Sequence, residues 1–224
     1  MRTGKRLSQI NTMISGQYSD IWDCCCDHGL LGITLLKRQA ADTIHFVDIV
    51  PSLMTQLHTK LQQNVADNSN NSHWQTHCLD VSKLPLEQSH QNSKQLIIIA
   101  GVGGDLLIEL LNAIISKYPE YNLEFLLCPV HHNYKVRQAL IKHDLGLINE
   151  AIVYENKRFY EIIHVATTSQ KPVNVVGNMM WDFSLREHQQ YRHETISHYQ
   201  RMAKNPNIDV TEILTVYQQL ATNN

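Results

Sequence analysis

Acidic side chains close three successive apolar runs in this 224-residue chain: Asp23 and Asp27 bracket Cys24-Cys25-Cys26, Asp48 follows Ile44-His45-Phe46-Val47, and Asp80 follows Cys78-Leu79. In sheets whose parallel strands alternate with helices, the carboxyl ends of the strands share one edge, and ligands bind there. Carboxylates gathered on that edge favour a positively charged ligand. The first run also stands where a nucleotide-binding turn would be. Written as acidic-x-Gly-x-Gly-x-Gly, that turn falls on Asp23, Cys25, Asp27 and Gly29, so only its last glycine is present. The missing glycines would let the backbone approach a pyrophosphate, and a carboxylate at Asp27 repels one. A sulfonium ligand that also carries an ammonium group reverses the preference, and both Asp23 and Asp27 attract it. Asp27 has a competing use, capping the helix that begins near His28.

Asp48 lies nineteen residues past Gly29, close to the ~20-residue spacing at which an acidic residue grips a ribose diol in this topology. Ile49 beside it offers an apolar face to an adenine ring. Asp80 can accept from an exocyclic amine, with Val81 supplying backbone contact. Taken singly, Asp48 and Asp80 read equally as solvated strand-end or loop carboxylates. Ala100-Gly101-Val102-Gly103-Gly104 follows the most apolar run, and its glycines either let a planar base lie against bare backbone or serve a tight strand-to-helix turn. No Asn/Asp-Pro-Pro-aromatic clamp stands there. Adjacent residues on a strand point to opposite faces, so Cys24, Cys25 and Cys26 cannot converge on one ion and read as small buried side chains. The pair His131-His132 meets the same objection.

These residues need strands and helices to position them. Leu7, Ile10, Met13 and Ile14 recur at helical spacing. A strand over Ser19 to Cys26, a turn at Asp27-His28-Gly29 and an apolar helix with Leu30, Leu31, Ile33, Leu35 and Leu36 follow. The unit repeats: a strand over Thr43 to Ile49, a helix opened by Pro51 and carrying Leu53, Leu57 and Leu61, an Asn/Ser-rich loop over 66–72, and a strand over Trp74 to Leu79. Gln95 to Ala100 is a strand buried on both faces, a helix runs from about Asp105 to Lys117, Leu123 to Cys128 is a fifth strand, and Tyr134 to His143 a further helix. Leu147 to Tyr154 and Phe159 to Ala166 form an antiparallel hairpin around Glu155-Asn156-Lys157-Arg158. Past Lys171-Pro172 the chain turns polar and helix-prone from Asp182 to Lys204, breaks at Asn205-Pro206-Asn207, and resumes behind a capping box of Asp209 and Glu212. The expected architecture is α/β, a Rossmann-like sheet with flanking helices over residues 1–172 and a helical hairpin over 173–224. Alternation of this kind is shared by dehydrogenases and class I methyltransferases, so it gives the fold class alone.

Composition narrows the class. With 43% hydrophobic residues and no low-complexity bias the chain suits a packed core, and a net charge of -2 argues against indiscriminate coating of nucleic acid. The five cysteines form no paired framework and no Cys-x-x-Cys spacing, which suits a reducing, cytoplasmic setting without a metal. Neither a signal peptide nor a membrane span is expected. The thirteen histidines are scattered, a poor basis for a shared pH sensor.

Several segments resemble one family. Lys5-Arg6-Leu7, Asp27-His28, Ala100-Gly101-Val102-Gly103-Gly104, Pro129 with Val136-Arg137-Gln138-Ala139-Leu140, and Tyr160-Glu161 are similar to motifs of the bacterial tRNA (adenine-N1) methyltransferases that modify the adenine at tRNA position 22, the TrmK family. The resemblance spans residues 4 to 166, and the closing helices look like that family's coiled-coil-like appendage. It implies S-adenosylmethionine as methyl donor and tRNA as acceptor and partner. Asp23, Asp27, His28 and Gly29 would surround the methionine part, Asp48 and Ile49 the ribose and adenine, Asp80 and Val81 the adenine amine, and Ala100 and Gly101 the reacting end. The turn from Gly101 to Gly104 would floor the target-base pocket, with Gly103 and Gly104 binding the substrate. Lys5, Arg6, Arg186, Arg192, Arg201 and Lys204 are the candidate phosphate contacts, with a solvated helix face as the alternative. Departures stand beside these matches: Cys25 replaces a glycine, Val102 a methionine, and Cys128 and Val130 replace Gln and Asn around the proline. Two rival readings remain open, a nicotinamide-dependent oxidoreductase and a non-catalytic RNA-binding scaffold that retains the fold.

Overall fold

Leu96, Ile97, Ile98 and Ile99 expose none of their surface to solvent and form the middle of the sheet. β-branched runs of this kind suit a strand covered on both faces. The computed structural model describes residues 4–65, 73–88 and 93–220; the loop expected over 66–72 lies outside the described residues. Among these, seven strands form one sheet: β1 (Tyr18–Cys24), β2 (Ala41–Asp48), β3 (His73–Cys78), β4 (Gln95–Ala100), β5 (Leu123–Cys128), β6 (Gly146–Glu155) and β7 (Arg158–Ala166). Their order is β3-β2-β1-β4-β5-β7-β6. Strands β1 to β5 are parallel, and β7 pairs antiparallel with both β5 and β6. It follows that β6 points the same way as β1 to β5. Its closing turn, Asn156-Lys157, therefore emerges at the edge that carries the carboxyl ends of the other strands. Both turn residues have left-handed backbones, φ 51° and 62°, as a two-residue hairpin turn that follows the strand twist requires.

Helices α1 (Lys5–Met13), α2 (Leu30–Lys37) and α3 (Pro51–Val65) cover one face, and α4 (Gly104–Lys117) and α5 (Asn133–Lys142) the other. The strand period of two divides the core between them: Ile98 and Leu126 belong to the first side, Ile97 and Phe125 to the second. The first strand ends earlier than its sequence predicts, at Cys24 and not Cys26, because Cys25 adopts φ 55° and turns the chain out of the sheet.

Helices α6 (Arg186–Met202) and α7 (Thr211–Gln219) pack as a hairpin around Tyr134 of α5, Val176, Val210, Ile213 and Tyr217. The expected capping box does not form: the helix begins behind Val210, which has no capping side chain. Asp209 Oδ1 accepts from the Thr211 N–H at 2.9 Å, whereas Glu212 turns away and accepts from the Tyr134 hydroxyl at 3.2 Å. A buried ion network fixes the hairpin to the sheet. The fully buried Arg137 lies 2.7 Å from Glu150 and 2.7 Å from Glu161, and Glu161 also accepts from the Tyr191 hydroxyl of α6 at 2.6 Å.

Candidate functional site

The turn after β1 keeps the backbone of a glycine-rich loop with only one of its three glycines, Gly29. Cys25, Asp27 and Gly29 have φ of 55°, 50° and 67°, so the three positions of the Gly-x-Gly-x-Gly pattern are all left-handed, a conformation that costs an L residue about 1 kcal/mol or more. Helix α2 starts after Gly29, and no side chain at that position caps it. Asp27 is therefore not the cap. The role passes to Asp23, whose Oδ2 accepts from the Gly32 N–H in the first turn of α2 at 2.8 Å. A side chain on Gly32 would come within 2.3 Å of the Phe46 ring, which is why a glycine lets helix and sheet close onto that carboxylate.

A cleft of about 240 Å³ opens beside this turn, bordered by Arg6, Asp23, Asp27, His28, Ala100 and Gly101 and walled by Leu7, Leu30 and Leu31. Asp23 is nearly buried, and burial, reinforced by the charge of Asp48, raises its carboxyl to about 7 despite the Gly32 hydrogen bond. Asp48, at the end of β2, accepts from the N–H groups of Asp27 and Val50, each at 3.1 Å, and so holds the turn in place. Asp80 lies one strand further out and accepts from the Ser82 N–H at 2.8 Å, a bond that holds its carboxyl below the usual range. Asp48, Asp23 and Asp80 all act on the Cys25 thiol, which burial and their charges push up to about 11. The thiol is therefore protonated at neutral pH and a poor nucleophile. Ile49 is 65% exposed beside Asp48, while Val81 is buried.

The two basic residues of α1 separate. Lys5 is exposed outside the cleft, but Arg6 is drawn into it, its guanidinium 4.8 Å from the centre of the Tyr160 ring. Arg6 Nε is buried and has no hydrogen-bond partner among the described residues. Nothing in the local sequence signals this, because Tyr160 lies in β7. Gly101, at φ 84°, needs its freedom to turn the chain out of β4. Gly103 lies against the His131 ring, where an added methyl group would stand 2.7 Å from Cε1, and at Gly104 one would stand 2.6 Å from the His131 carbonyl oxygen. Of the glycine strip 101–104, only Gly101 presents open backbone, an added methyl group there standing 3.9 Å from the nearest atom. Gly103 and the buried Gly104 serve close packing, so the floor of a base pocket expected of them falls to Gly101, with the His131 ring lying over Gly103. Of the basic residues expected on the hairpin, Arg192 is engaged within the protein, donating to the Tyr217 and Gln218 carbonyls of α7.

Residues 3–163 match the family model described as a methyltransferase domain. The chain belongs to that family. Membership separates it from the dehydrogenases that share the same alternation. Among solved structures, the M. capricolum TrmK in complex with the natural cofactor product S-adenosyl-homocysteine is similar at 15% identity and a TM-score of 0.71, covering 97% of this chain and 94% of that one. The B. subtilis m1A22 tRNA methyltransferase TrmK is similar at 17% identity and a TM-score of 0.67, covering 96% and 92%. The Synechocystis magnesium protoporphyrin IX methyltransferase with bound SAM, at 11% identity and a TM-score of 0.54, covers only 72% of this chain. No curated protein sequence matches the chain significantly. The fold is that of a Rossmann-like methyltransferase with two added C-terminal helices.

Proposed function

We propose that this protein transfers a methyl group from S-adenosylmethionine to N1 of an adenine in tRNA, in the cytoplasm. The observation that carries the reading is the cleft at the carboxyl edge of the sheet, where carboxylates surround a space that also holds the Arg6 guanidinium. Those are the charges that an amino-acid zwitterion attached to a sulfonium requires: Asp27 and Asp23 for the ammonium group, Arg6 for the carboxylate. Asp48 would take the ribose hydroxyls, Ile49 the adenine face and Asp80 the exocyclic amine. The cofactor, when bound, supplies an electrophilic methyl group on a positively charged sulfur. Adenine N1 already presents an in-plane lone pair, so the task left to the open Gly101 and to the neighbouring His131 is to orient the base, and orientation dominates the acceleration. Support for tRNA as acceptor comes from the extent of the likeness, since the two TrmK proteins match 97% and 96% of the chain and the porphyrin methyltransferase 72%. Lys5, Arg186, Arg201 and Lys204 are the proposed phosphate contacts.

The test is calorimetric titration with S-adenosylmethionine, followed by methyl transfer to unmodified tRNA transcripts with and without an adenine at position 22. Binding with adenine-dependent transfer is expected. Binding without transfer would redirect the search to another acceptor, and absence of binding would leave a scaffold that kept the fold.

A further inference from the structure

A second cleft, of about 520 Å³, opens at the same sheet edge between the β6–β7 turn, the loop that leads into α5, and α6. It begins where the glycine strip ends. The Val130 N–H donates to the Val102 carbonyl at 2.9 Å, tying the loop to that strip, and His131 both covers Gly103 and borders this cleft. Lys157 and Arg158 project from the tight turn on its rim, are exposed, and take part in no ion pair among the described residues. Its carboxylate, Glu194, accepts from the Gln190 amide at 2.7 Å. The wall is aromatic. The half-buried Phe159 ring is 4.6 Å from the Tyr154 ring and 5.1 Å from that of Tyr191, and Tyr199, two turns along α6 from Tyr191, also lines the cleft. Asn133 donates to the Tyr191 hydroxyl at 3.1 Å, while its own Oδ1 is buried with no donor among the described residues.

We infer that this cleft is a second RNA subsite, which takes an unstacked nucleotide flanking the methylated base; the flanking assignment rests on the function proposed above. Arg158 and Lys157 would hold the phosphate and the Phe159–Tyr199 wall the base, the pairing of cations with aromatic platforms by which proteins hold single-stranded nucleic acid without reading its sequence. The location decides for RNA over a protein segment: the cleft continues from the acceptor strip, so a strand entering one passes the other. An enzyme that must draw a base out of a folded RNA gains by holding its neighbour splayed, because unstacking is otherwise costly.

The test uses the full chain and a fluorescein-labelled single-stranded oligoadenylate, read by anisotropy over a range of salt, beside calorimetry with S-adenosylhomocysteine. The variants are Lys157→Asn with Arg158→Gln, which keeps a residue suited to the left-handed turn, and Phe159→Leu, which keeps apolar bulk but removes the stacking face. Wild type is expected to bind the oligonucleotide and the double variant about tenfold more weakly, with the salt slope reduced by about 1.4 for two lost phosphate contacts. Phe159→Leu should weaken binding without changing the slope, and both should retain wild-type affinity for S-adenosylhomocysteine. Wild type that ignores the oligonucleotide, or variants that bind it with unchanged affinity and slope, would overturn the subsite. Methyl transfer to tRNA is scored separately: its absence in a wild type that binds RNA through this cleft sinks the tRNA reading and leaves the subsite standing.

Discussion

At the level of single residues, the first turn stores strain that sequence pattern-matching reads as a defect. Cys25 and Asp27 hold the left-handed backbone that glycine would take freely. Cys25→Gly should therefore raise the free energy of unfolding by about 1 kcal/mol, the relief of φ strain being partly offset by the greater freedom of glycine in the unfolded chain. A urea midpoint that falls would mean that packing of the thiol outweighs the strain. Asp23 predicts a pH dependence. Its carboxyl ionises at about 7 in the folded protein against an ordinary 3.8, so the unfolded chain loses that proton first, and stability falls as pH rises from about 4 to about 7, by up to roughly 4 kcal/mol. Asp23→Asn should flatten that slope in thermal unfolding across the interval. A cationic ligand in the adjoining cleft should also expel the proton. At pH 7 the wild-type binding enthalpy should vary with the ionisation enthalpy of the buffer, and that of Asp23→Asn should not.

At the level of elements, the junction of β4 and α4 opposes local propensity to tertiary packing. Gly104 is the first residue of α4, where alanine would favour the helix by about 1 kcal/mol. The added methyl group would stand 2.6 Å from the His131 carbonyl, a backbone atom that cannot rotate aside. Gly104→Ala should accordingly destabilise by about 2 kcal/mol, the usual scale of overpacking, measured by urea unfolding. If the variant proved more stable, helix propensity would dominate, and the close approach of α4 to the loop before α5 would have slack. The same contact places His131 over the glycine strip, so the substitution should also disturb the acceptor end of the site more than its cofactor end.

For the whole molecule, Arg137 decides whether sheet and hairpin behave as one body. It lies on α5, its carboxylate partners lie on β6 and β7, and Glu161 carries the link on to Tyr191 of α6. Glu150 extends it to the linking segment, accepting from the N–H groups of Asn178 and Met179 at 2.7 Å each. Attraction to Glu161 and Glu150 keeps the guanidinium charged in spite of its burial. Removing one member of such a network leaves charge buried without a partner, so Arg137→Met should cost roughly 3–5 kcal/mol. Limited proteolysis should then cut between residues 173 and 185, releasing the helices, while wild type resists. Equal resistance would show that the apolar cluster around Tyr217 holds the hairpin unaided.

Periodicity and composition were enough to determine the order of strands and helices along the chain, because the two periods of apolar residues are local properties. They placed β4 and β5 to the residue and the other elements to within a few. The three acidic strand ends were legible for the same reason: each follows an apolar run, and parallel topology brings such ends to one edge. What Asp23 does there was not legible, since its partner Gly32 is reached only once α2 folds back onto β1. Arg6 looked like a surface cation until Tyr160, more than 150 residues away, drew it into the cleft. The second cleft had no sequence signature, because its walls come from a turn, a loop and a helix that meet only when the hairpin docks. Patterns along the chain report which face of an element is buried, whereas a site depends on which distant side chains share a face, and tertiary packing alone decides that.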